Sequence, residues 1–287
     1  MIVSNKWSNY EIIDASNGEK LERWNDIILL RPDPQIIWDN GNLIDKYKNI
    51  NACYYRSNKG GGYWQNLKST PNKWQVQYKN LTFNIKQMGF KHTGLFPEQA
   101  VNWDYMIKKI TEANREIKVL NLFAYTGGAS VACLSAGAHV THVDSSKGMV
   151  EWAKENVKSS NLDDKPIRYL VDDVVKFVKR EIRRGNKYDA IVMDPPSYGR
   201  GSSGEVWNIE NDLFNLVSLC TELLSDNPLF FIINSYTTGL SKEVLVNILK
   251  LTVLKKYKGT ISSDEIGLPI KNSDLVLPCG IYARYEK

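Results

Sequence analysis

Short apolar runs and amphipathic stretches alternate along the chain beyond residue 118. The apolar runs are short enough for buried strands, and the stretches between them carry apolar residues at helical spacing. Strands are predicted at residues 119–123, 139–143, 167–171, 188–193, 229–234, 259–261 and 275–285. Helices are predicted between them at residues 129–136, 174–184, 210–224 and 241–255, and another, capped by Ser145 or Ser146, runs to about residue 159.

This alternation predicts an α/β fold built on a doubly wound, mostly parallel sheet of seven strands. The last two strands have no helix between them, so we expect them to be antiparallel neighbours. A further helix, opened by Pro97 and running through Glu112, leads into the first strand of the sheet.

The first 80 residues follow a different, β-rich pattern. Short apolar runs occur at residues 10–13, 26–30 and 35–38, and Asn17-Gly18 is typical of a hairpin turn. The glycine-rich stretches 58–62 and 199–204 predict loops. We therefore expect a small β-rich N-terminal domain over residues 1–88 and a larger α/β domain over residues 89–287.

Five of the eight tryptophans fall in the first third of the chain, at Trp7, Trp24, Trp38, Trp64 and Trp74. Two interpretations are open. The indoles could form a surface on which nucleic-acid bases stack. They could also form the core of the small β-domain, which is the interpretation we favour.

The stretch from Val119 to Asp144 has the layout of a nucleotide-binding βαβ unit. An apolar strand is followed by the turn YTGG (125–128), a helix of small residues, a second strand and a terminal acid. Glycines let the backbone approach a ligand closely. Asp144, roughly 20 residues beyond the start of the turn, can accept hydrogen bonds from a ribose diol.

The form of the turn narrows the choice of ligand. A dinucleotide fold would show G-x-G-x-x-G, and neither that motif nor a Walker-type G-K-[ST] is present here. The turn therefore favours a nucleoside without a diphosphate, and S-adenosylmethionine is the commonest ligand of that kind. An ordinary strand-to-helix turn without a ligand is the alternative.

Polar residues follow the predicted strands at the edge where ligands of parallel sheets bind. They are Thr126 after the first strand, Asp144 after the second, Asp172 and Asp173 after the third and Asp194 after the fourth. Acids suit a sulfonium cation electrostatically. Asp172 or Asp173 could accept the adenine amino group, or this pair could simply cap the next helix.

The segment DPPSY (194–198) is the second chemical signal. Two prolines force an extended, rigid exit from the strand, which would project Asp194 and the backbone carbonyls of Pro195 and Pro196 into the cleft. Such acceptors can hold the amino group of a planar base, and Tyr198 can stack on its face. The alternative is a stiff connection with no chemical role.

Composition and charge restrict the possible functions less than the motifs do. The net charge of +5, from 37 basic and 32 acidic residues, is compatible with a nucleic-acid partner. The four cysteines and three histidines show no metal-ligand spacing, so no metal is expected. No apolar run approaches the length of a membrane span and no signal sequence is evident, so we expect a cytoplasmic protein without a membrane partner.

The segments FAYTGG (123–128), DPP (194–196) and TGLFPEQ (93–99) together resemble bacterial class I S-adenosylmethionine-dependent methyltransferases of large-subunit (23S) ribosomal RNA. The resemblance covers residues 90–287. It implies the class I methyltransferase fold, ribosomal RNA as substrate, and a catalytic role for Asp194, Pro195, Pro196 and Tyr198. It also implies a set of cofactor-binding residues: Gln99, Phe123, Tyr125, Thr126, Gly127, Gly128, Asp144, Ser145, Asp172, Asp173 and Asp194.

One departure from this family bears on mechanism. Relatives that methylate cytosine C5 carry a nucleophilic cysteine after the fifth strand, where this chain has Thr237 in the run YTTGL (236–240). Cytosine C5 is too electron-poor to attack a methyl group until a thiolate has added to the ring. We therefore expect methylation of a base nitrogen, unless Cys279 reaches the cleft.

Two competing functions stay open at this level. One is a methyltransferase acting on a small molecule or a protein. The other is a non-catalytic RNA-binding relative that has kept its cofactor site.

Overall fold

The computed structural model of the chain describes residues 1–57, 61–201 and 204–287. Its strands are β1 (Ile2–Val3), β2 (Tyr10–Ser16), β3 (Glu19–Trp24), β4 (Ile27–Pro32), β5 (Ala52–Arg56), β6 (Gly62–Asn66), β7 (Trp74–Tyr78), β8 (Leu81–Ile85), β9 (Lys118–Leu122), β10 (His139–Asp144), β11 (Ile167–Val171), β12 (Ala190–Met193), β13 (Tyr198–Arg200), β14 (Val206–Asn208), β15 (Phe230–Ser235), β16 (Thr260–Pro269) and β17 (Val276–Glu286).

The helices are α1 (Leu43–Lys46), α2 (Ala100–Glu112), α3 (Gly128–Ser135), α4 (Lys147–Ser159), α5 (Val174–Arg184), α6 (Ile209–Glu222), α7 (Lys242–Leu251) and α8 (Val253–Lys256), and a 3-10 turn covers Pro97–Gln99. No helix in the described ranges is long and apolar enough to cross a membrane.

The described residues divide into two compact units. The α/β unit comprises Met1–Ile2, Val101–Ile266 and Gly280–Lys287, and the β-rich unit comprises Val3–Ala100 and Gly267–Cys279. The domain bounds expected from the sequence, 1–88 and 89–287, stay a prediction. In the structure, the last two strands of the chain contribute residues to both units.

The main sheet of the described residues has eight strands in the order β1-β16-β17-β15-β12-β9-β10-β11. Strands β15, β12, β9, β10 and β11 pair in parallel, and β17 is antiparallel to β15. The predicted α/β class and mostly parallel sheet are confirmed. The eighth strand is the two-residue β1, which is too short to give a periodic signal.

The core of the α/β unit explains why these segments form its layers. Central strands are buried along their whole length, as β12 and β15 are, because helices cover both faces of a parallel sheet. Phe177 of α5 and Leu216 of α6 pack in the same apolar cluster as Ile191 of β12 and Phe231 of β15. The parallel strands thereby bring their carboxyl ends to one edge.

Helix α5 is amphipathic, and its ends are fixed by its own sequence. The Asp173 side chain accepts a hydrogen bond from the Lys176 amide at its start, and Gly185 ends it with a left-handed φ of 71°. Val174, Phe177 and Val178 are buried against the core. Its other face is cationic.

The β-rich unit holds a five-stranded sheet, β2-β3-β4-β5-β6, and a β7-β8 pair. Glu22 is fully buried and paired with Arg31, whose Nε and Nη2 atoms lie 2.6 and 2.9 Å from the carboxylate oxygens. Burial raises the pKa of Glu22, but the attraction of Arg31 and Lys20 outweighs it and lowers that pKa to about 2. This pair therefore stays ionised throughout the physiological range.

The tryptophans of the β-rich unit support the core interpretation. Trp24 is 0% exposed, and the other four are half-buried. Four indole nitrogens donate to backbone carbonyls within the unit: Trp7 to Pro97, Trp38 to Ala15, Trp64 to Met88 and Trp74 to Trp24. Their polar edges are thus used to hold the backbone of this unit together.

Three local predictions were wrong. Residues 35–38 form no strand, since Ile36 is buried while Ile37 is 91% exposed. The predicted helix 241–255 is broken at Thr252, whose hydroxyl donates to the Ile248 carbonyl at 2.6 Å. Part of the predicted loop 199–204 belongs to the hairpin β13-β14. Residues 58–60 and 202–203 of the predicted loops lie outside the described residues.

Candidate active site

The loop between β9 and α3 has a distinctive backbone. Phe123, Tyr125 and Gly127 all have left-handed φ angles, of 52°, 50° and 84°. Two of them are not glycine, and this conformation costs free energy for large side chains. Hydrogen bonds hold the loop: the Ala124 amide donates to the Val143 carbonyl at 3.0 Å, and the Gly127 amide to the Ala124 carbonyl at 2.9 Å. The strained loop is therefore fixed by its neighbours.

Gly127 and Gly128 are required by packing within the protein. A Cβ on Gly127 would lie 2.9 Å from the Cβ of Ala153, and one on Gly128 would lie 2.8 Å from Cζ2 of Trp103. Both distances are below ordinary contact. The two glycines therefore let α4 and Trp103 approach the loop, whereas sequence reasoning assigned them to approach by a ligand.

Asp144, at the end of β10, meets this loop. Its Oδ2 accepts a hydrogen bond from the Tyr125 amide at 2.8 Å, and its Oδ1 accepts one from the Ser146 amide at 2.9 Å. Burial raises the pKa of Asp144, although these two amides act in the opposite direction. A carboxylate can accept about four hydrogen bonds, so this one has capacity for further donors. Ser145 follows it and is exposed.

The acids after β11 have structural partners. The Asp172 amide donates to the Asp144 carbonyl at 3.0 Å, and the Asp172 carboxylate forms an ion pair with Arg180. Asp173 caps α5 through Oδ1, which accepts from the Lys176 amide at 2.8 Å. The helix-cap role considered for this pair is therefore present at Asp173, and its Oδ2 is the oxygen not used by the cap.

The segment DPPSY leaves β12 at the same edge of the sheet. Asp194 is half-buried, Pro195 is buried, and Tyr198 is 53% exposed. The Pro196 carbonyl accepts a hydrogen bond from Trp207 Nε1 at 2.7 Å, and the Ile209 amide donates to the Ser197 carbonyl at 3.0 Å. Tyr198 then begins the hairpin β13-β14, so its ring extends from an ordered strand.

Trp207 is a site residue that sequence reasoning missed. Its ring lies 5.0 Å from that of Phe123, between centroids, while its indole nitrogen holds the Pro196 carbonyl. It thus joins the loop after β9 to the loop after β12. Its position in a hairpin behind a glycine-rich stretch gave no periodic signal that could have identified it.

A buried polar chain below the glycine loop was also missed. Asn121 Nδ2 donates to Ser130 Oγ at 2.9 Å, and Ser130 Oγ lies 2.9 Å from Nδ1 of His142. His142 is fully buried, and burial lowers its pKa to about 4. Asn156 Nδ2 donates to the Thr126 carbonyl at 2.8 Å on the same side. Polar residues inside apolar elements were the available signal.

Thr237 follows β15 and lies beside the DPPSY loop. Its Oγ1 is 2.7 Å from Ser197 Oγ, and its amide donates to Ser235 Oγ at 3.2 Å. Two hydroxyls therefore meet where the loops after β12 and β15 come together.

Two of the discussed residues belong to the β-rich unit. Gln99 ends the 3-10 turn and is 8% exposed. Cys279 lies in β17, with its sulfur 3.4 Å from the Leu277 carbonyl. Burial raises the pKa of the Cys279 thiol well above its usual value, and the Glu98 carboxylate acts in the same direction. The thiol is therefore protonated at neutral pH and is a poor nucleophile.

The donor set fits a nucleoside with a positively charged sulfur. Asp144 is a half-buried carboxylate that can accept more hydrogen bonds than its two amides supply, and a ribose diol has two hydroxyls to donate. No group of three or more His, Cys, Asp or Glu side chains within the described ranges could hold a metal ion.

Comparison with known proteins identifies the family. The profile of the S-adenosylmethionine-dependent methyltransferase family matches residues 43–241. A solved structure of an S-adenosylmethionine-dependent methyltransferase from Agrobacterium tumefaciens is 33% identical, with a TM-score of 0.92 over 99% of this chain and 92% of that one. A second solved structure, a complex with SAH, is 21% identical, with a TM-score of 0.77 over 98% and 76% of the two chains.

Two similar curated proteins are both called ribosomal RNA large subunit methyltransferase K/L. The one from Syntrophotalea carbinolica is 29% identical over 63% of this chain, and the one from Shewanella oneidensis is 30% identical over 64%. The aligned part is 25% of each relative, so this chain spans about a quarter of their length. The chain belongs to the family of S-adenosylmethionine-dependent methyltransferases, enzymes that use this cofactor as methyl donor.

Proposed function

We propose that this methyltransferase acts on large-subunit ribosomal RNA and that its acceptor atom is a base nitrogen. The names of the two curated relatives support the substrate class. A ribosomal substrate also implies a cytoplasmic enzyme. The observation that supports the choice of nitrogen is the 2.7 Å contact between Ser197 Oγ and Thr237 Oγ1, since Thr237 is the residue that the resemblance aligns with the C5-type cysteine.

The chemical reason is the electron demand of the acceptor. S-adenosylmethionine supplies an electrophilic methyl group on a sulfonium. A base nitrogen has a lone pair that can attack this carbon directly, whereas cytosine C5 needs prior addition of a nucleophile to the ring. A threonine hydroxyl hydrogen-bonded to a serine is not activated for that addition, so direct transfer is the route this site supports.

The cofactor would be held by the edge of the sheet formed by β9, β10 and β11. Phe123 and the backbone of Tyr125–Gly128, which includes Thr126, would line the cofactor site. Asp144 would accept hydrogen bonds from the ribose hydroxyls. At the third strand we favour Asp173 for the adenine amino group, because the Asp172 carboxylate is paired with Arg180. Roles for Gln99 and Ser145 stay predictions.

The acceptor base would be held by the DPPSY loop. The Pro196 carbonyl accepts from Trp207 Nε1, and we assign the exocyclic amino group to the Asp194 carboxylate and the Pro195 carbonyl of the same segment. Tyr198 would stack on the base, and such stacking contributes about 1–3 kcal/mol per base. Fixing the ring in this way aligns the nitrogen with the methyl group, which is the main source of rate enhancement available here.

Mass spectrometry of ribosomal RNA nucleosides, from cells with and without this protein, tests the proposal. We expect one N-methylated nucleoside of the large-subunit RNA to disappear and to return when the gene is restored. Unchanged ribosomal RNA would refute the proposal, and a methylated small molecule or protein lost in its place would identify the alternative substrate.

A further inference from the structure

A groove in the surface of the α/β unit is lined by four cations and two apolar residues. It has a volume of about 580 Å³, and its lining consists of Lys176, Lys179, Arg180, Ile182, Arg183 and Leu219. Five of these six residues belong to α5, and the sixth comes from α6. Four are cations and none is an acid. Such a surface attracts a polyanion.

Two of the four cations are already engaged. Arg180 is paired with Asp172, and Lys176 with Glu205. Lys179 and Arg183 are exposed, and neither forms an ion pair within residues 1–57, 61–201 and 204–287. They are four residues apart on one helix and so lie on the same face, about 6 Å apart along the helix axis. These two charges are the ones available to a partner.

The groove also has an apolar floor. Ile182 and Leu219 are partly buried and pack against the core of the unit while they line the groove. A small free anion makes no use of apolar surface. A nucleic-acid strand does, because its backbone alternates charged phosphates with the less polar faces of the sugars and bases.

The acidic partners of Arg180 and Lys176 belong to segments near the candidate active site. Asp172, the partner of Arg180, follows β11 and donates its amide to the Asp144 carbonyl. Glu205, the partner of Lys176, accepts the Gly201 amide through its carbonyl in the hairpin that begins at Tyr198. Two ion pairs therefore link the groove to the segment after β11 and to the hairpin that begins at Tyr198.

We propose that the α5 groove binds the phosphodiester backbone of the RNA substrate, with Lys179 and Arg183 each contacting a phosphate. This inference rests on the proposed function, since it takes the substrate to be RNA. It adds a location for the strand that flanks the target base: the flanking nucleotides run along α5, and the base reaches the DPPSY loop.

The test compares the double variant Lys179→Gln/Arg183→Gln with the control Lys250→Gln/Lys255→Gln. The control removes the same charge from exposed residues of α7 and α8 in the same unit. Binding to a large-subunit ribosomal RNA fragment is measured by fluorescence anisotropy between 50 and about 200 mM salt, the range over which phosphate contacts weaken strongly. Thermal unfolding and S-adenosylmethionine affinity are measured on the same preparations.

The α5 variant should bind the RNA about tenfold more weakly, and the slope of log K against log salt should fall by about 1.4, or ~0.7 per lost phosphate contact on a single strand. Its KM for RNA should rise while its kcat, unfolding temperature and cofactor affinity stay unchanged. The control variant should match the wild type. If the wild type and the α5 variant share one salt slope, the groove does not carry the RNA, although the proposed function stands. If the wild type does not bind ribosomal RNA at all, the inference and the proposed function both fail.

Discussion

The hydroxyl oxygens of Ser197 and Thr237 lie 2.7 Å apart and join the loops that follow β12 and β15. These strands are parallel neighbours, so the contact ties the loop that begins at Asp194 to the loop that contains Thr237. We propose that Thr237 positions the DPPSY loop and takes part in no covalent step.

Substitution of Thr237 tests that assignment. Thr237→Val keeps the shape and removes the hydrogen bond, and such a bond contributes about 0.5–1.5 kcal/mol, so kcat should fall by roughly 2- to 10-fold. Thr237→Ser should keep the wild-type kcat, and Cys279→Ala should leave it nearly intact. Steady-state methyl transfer from labelled S-adenosylmethionine measures all three. A covalent adduct between the protein and RNA containing 5-fluorocytosine would contradict this prediction and implicate Cys279.

Asp144 should control cofactor affinity. Asp144→Ala removes the acceptor proposed for the ribose hydroxyls, and a hydrogen bond to a charged group contributes about 1.5–3 kcal/mol. Calorimetry should show S-adenosylmethionine binding weakened by that amount. The control Asp164→Ala removes an exposed acid of the same unit and should bind like the wild type. Equal affinities in all three proteins would remove Asp144 from the cofactor site.

The free energy of unfolding tests why glycine is required at Gly128. Gly128→Ala forces a Cβ to within 2.8 Å of the Trp103 ring, and overpacking of this kind costs about 1–3 kcal/mol. Gly148→Ala is the matched control, because its nearest neighbour is Ser146 Oγ at 3.9 Å. That variant should be unchanged or more stable by up to about 1 kcal/mol, since alanine favours helix. Urea unfolding measures both, and equal effects would show that Trp103 packing is not the constraint.

Much of this site follows from the sequence, but the parts made by long-range packing do not. The Gly-Gly turn and the acids at strand ends predict the cofactor edge, because they depend on local order along the chain. The left-handed backbone at Phe123 and Tyr125 is imposed by hydrogen bonds to Val143 and Asp144, some 20 residues away, so no local preference predicts it.

The same distinction explains the other misses. Trp207 contacts Phe123 across the sheet edge, and only the folded chain brings those rings together. Helix propensity continues through Thr252, but its side chain bonds back to Ile248 and the helix breaks there. Asp173 was recognised as an acid at a strand end, whereas its cap contact decides which of its oxygens is left for a ligand.

The buried His142 predicts how stability depends on pH. Burial lowers the pKa of His142 to about 4, and its Nε2 has no hydrogen-bond partner among the described residues. An unfolded histidine has a pKa of about 6.5, so the unfolded state binds more protons between pH 4 and 6.5. The stability contributed by neutral His142 is therefore present above that window and is lost as pH falls through it, by up to about 3 kcal/mol.

Urea unfolding near neutral pH and in mild acid tests this on His142→Asn and on the control His139→Asn. His139 is exposed, so its variant controls for the loss of an imidazole from the surface of the same strand. His142→Asn should lose part of the pH dependence of the wild type. His92, whose pKa burial also lowers to about 4, remains in both variants and should account for some of what is left. An undiminished dependence in His142→Asn would mean that His142 is not a buried neutral group.

Methyl transfer to a base nitrogen of RNA is measured most directly with S-adenosylmethionine carrying a deuterated methyl group. The purified enzyme is incubated with large-subunit ribosomal RNA, and the nucleosides are separated and analysed by mass spectrometry. Asp194→Ala serves as the paired variant, because it removes the proposed amino-group acceptor and should lower turnover by orders of magnitude while the unfolding temperature is unchanged. The wild type should place the label on one N-methylated nucleoside. Label on C5 of cytosine, or full activity of Asp194→Ala, would contradict the account.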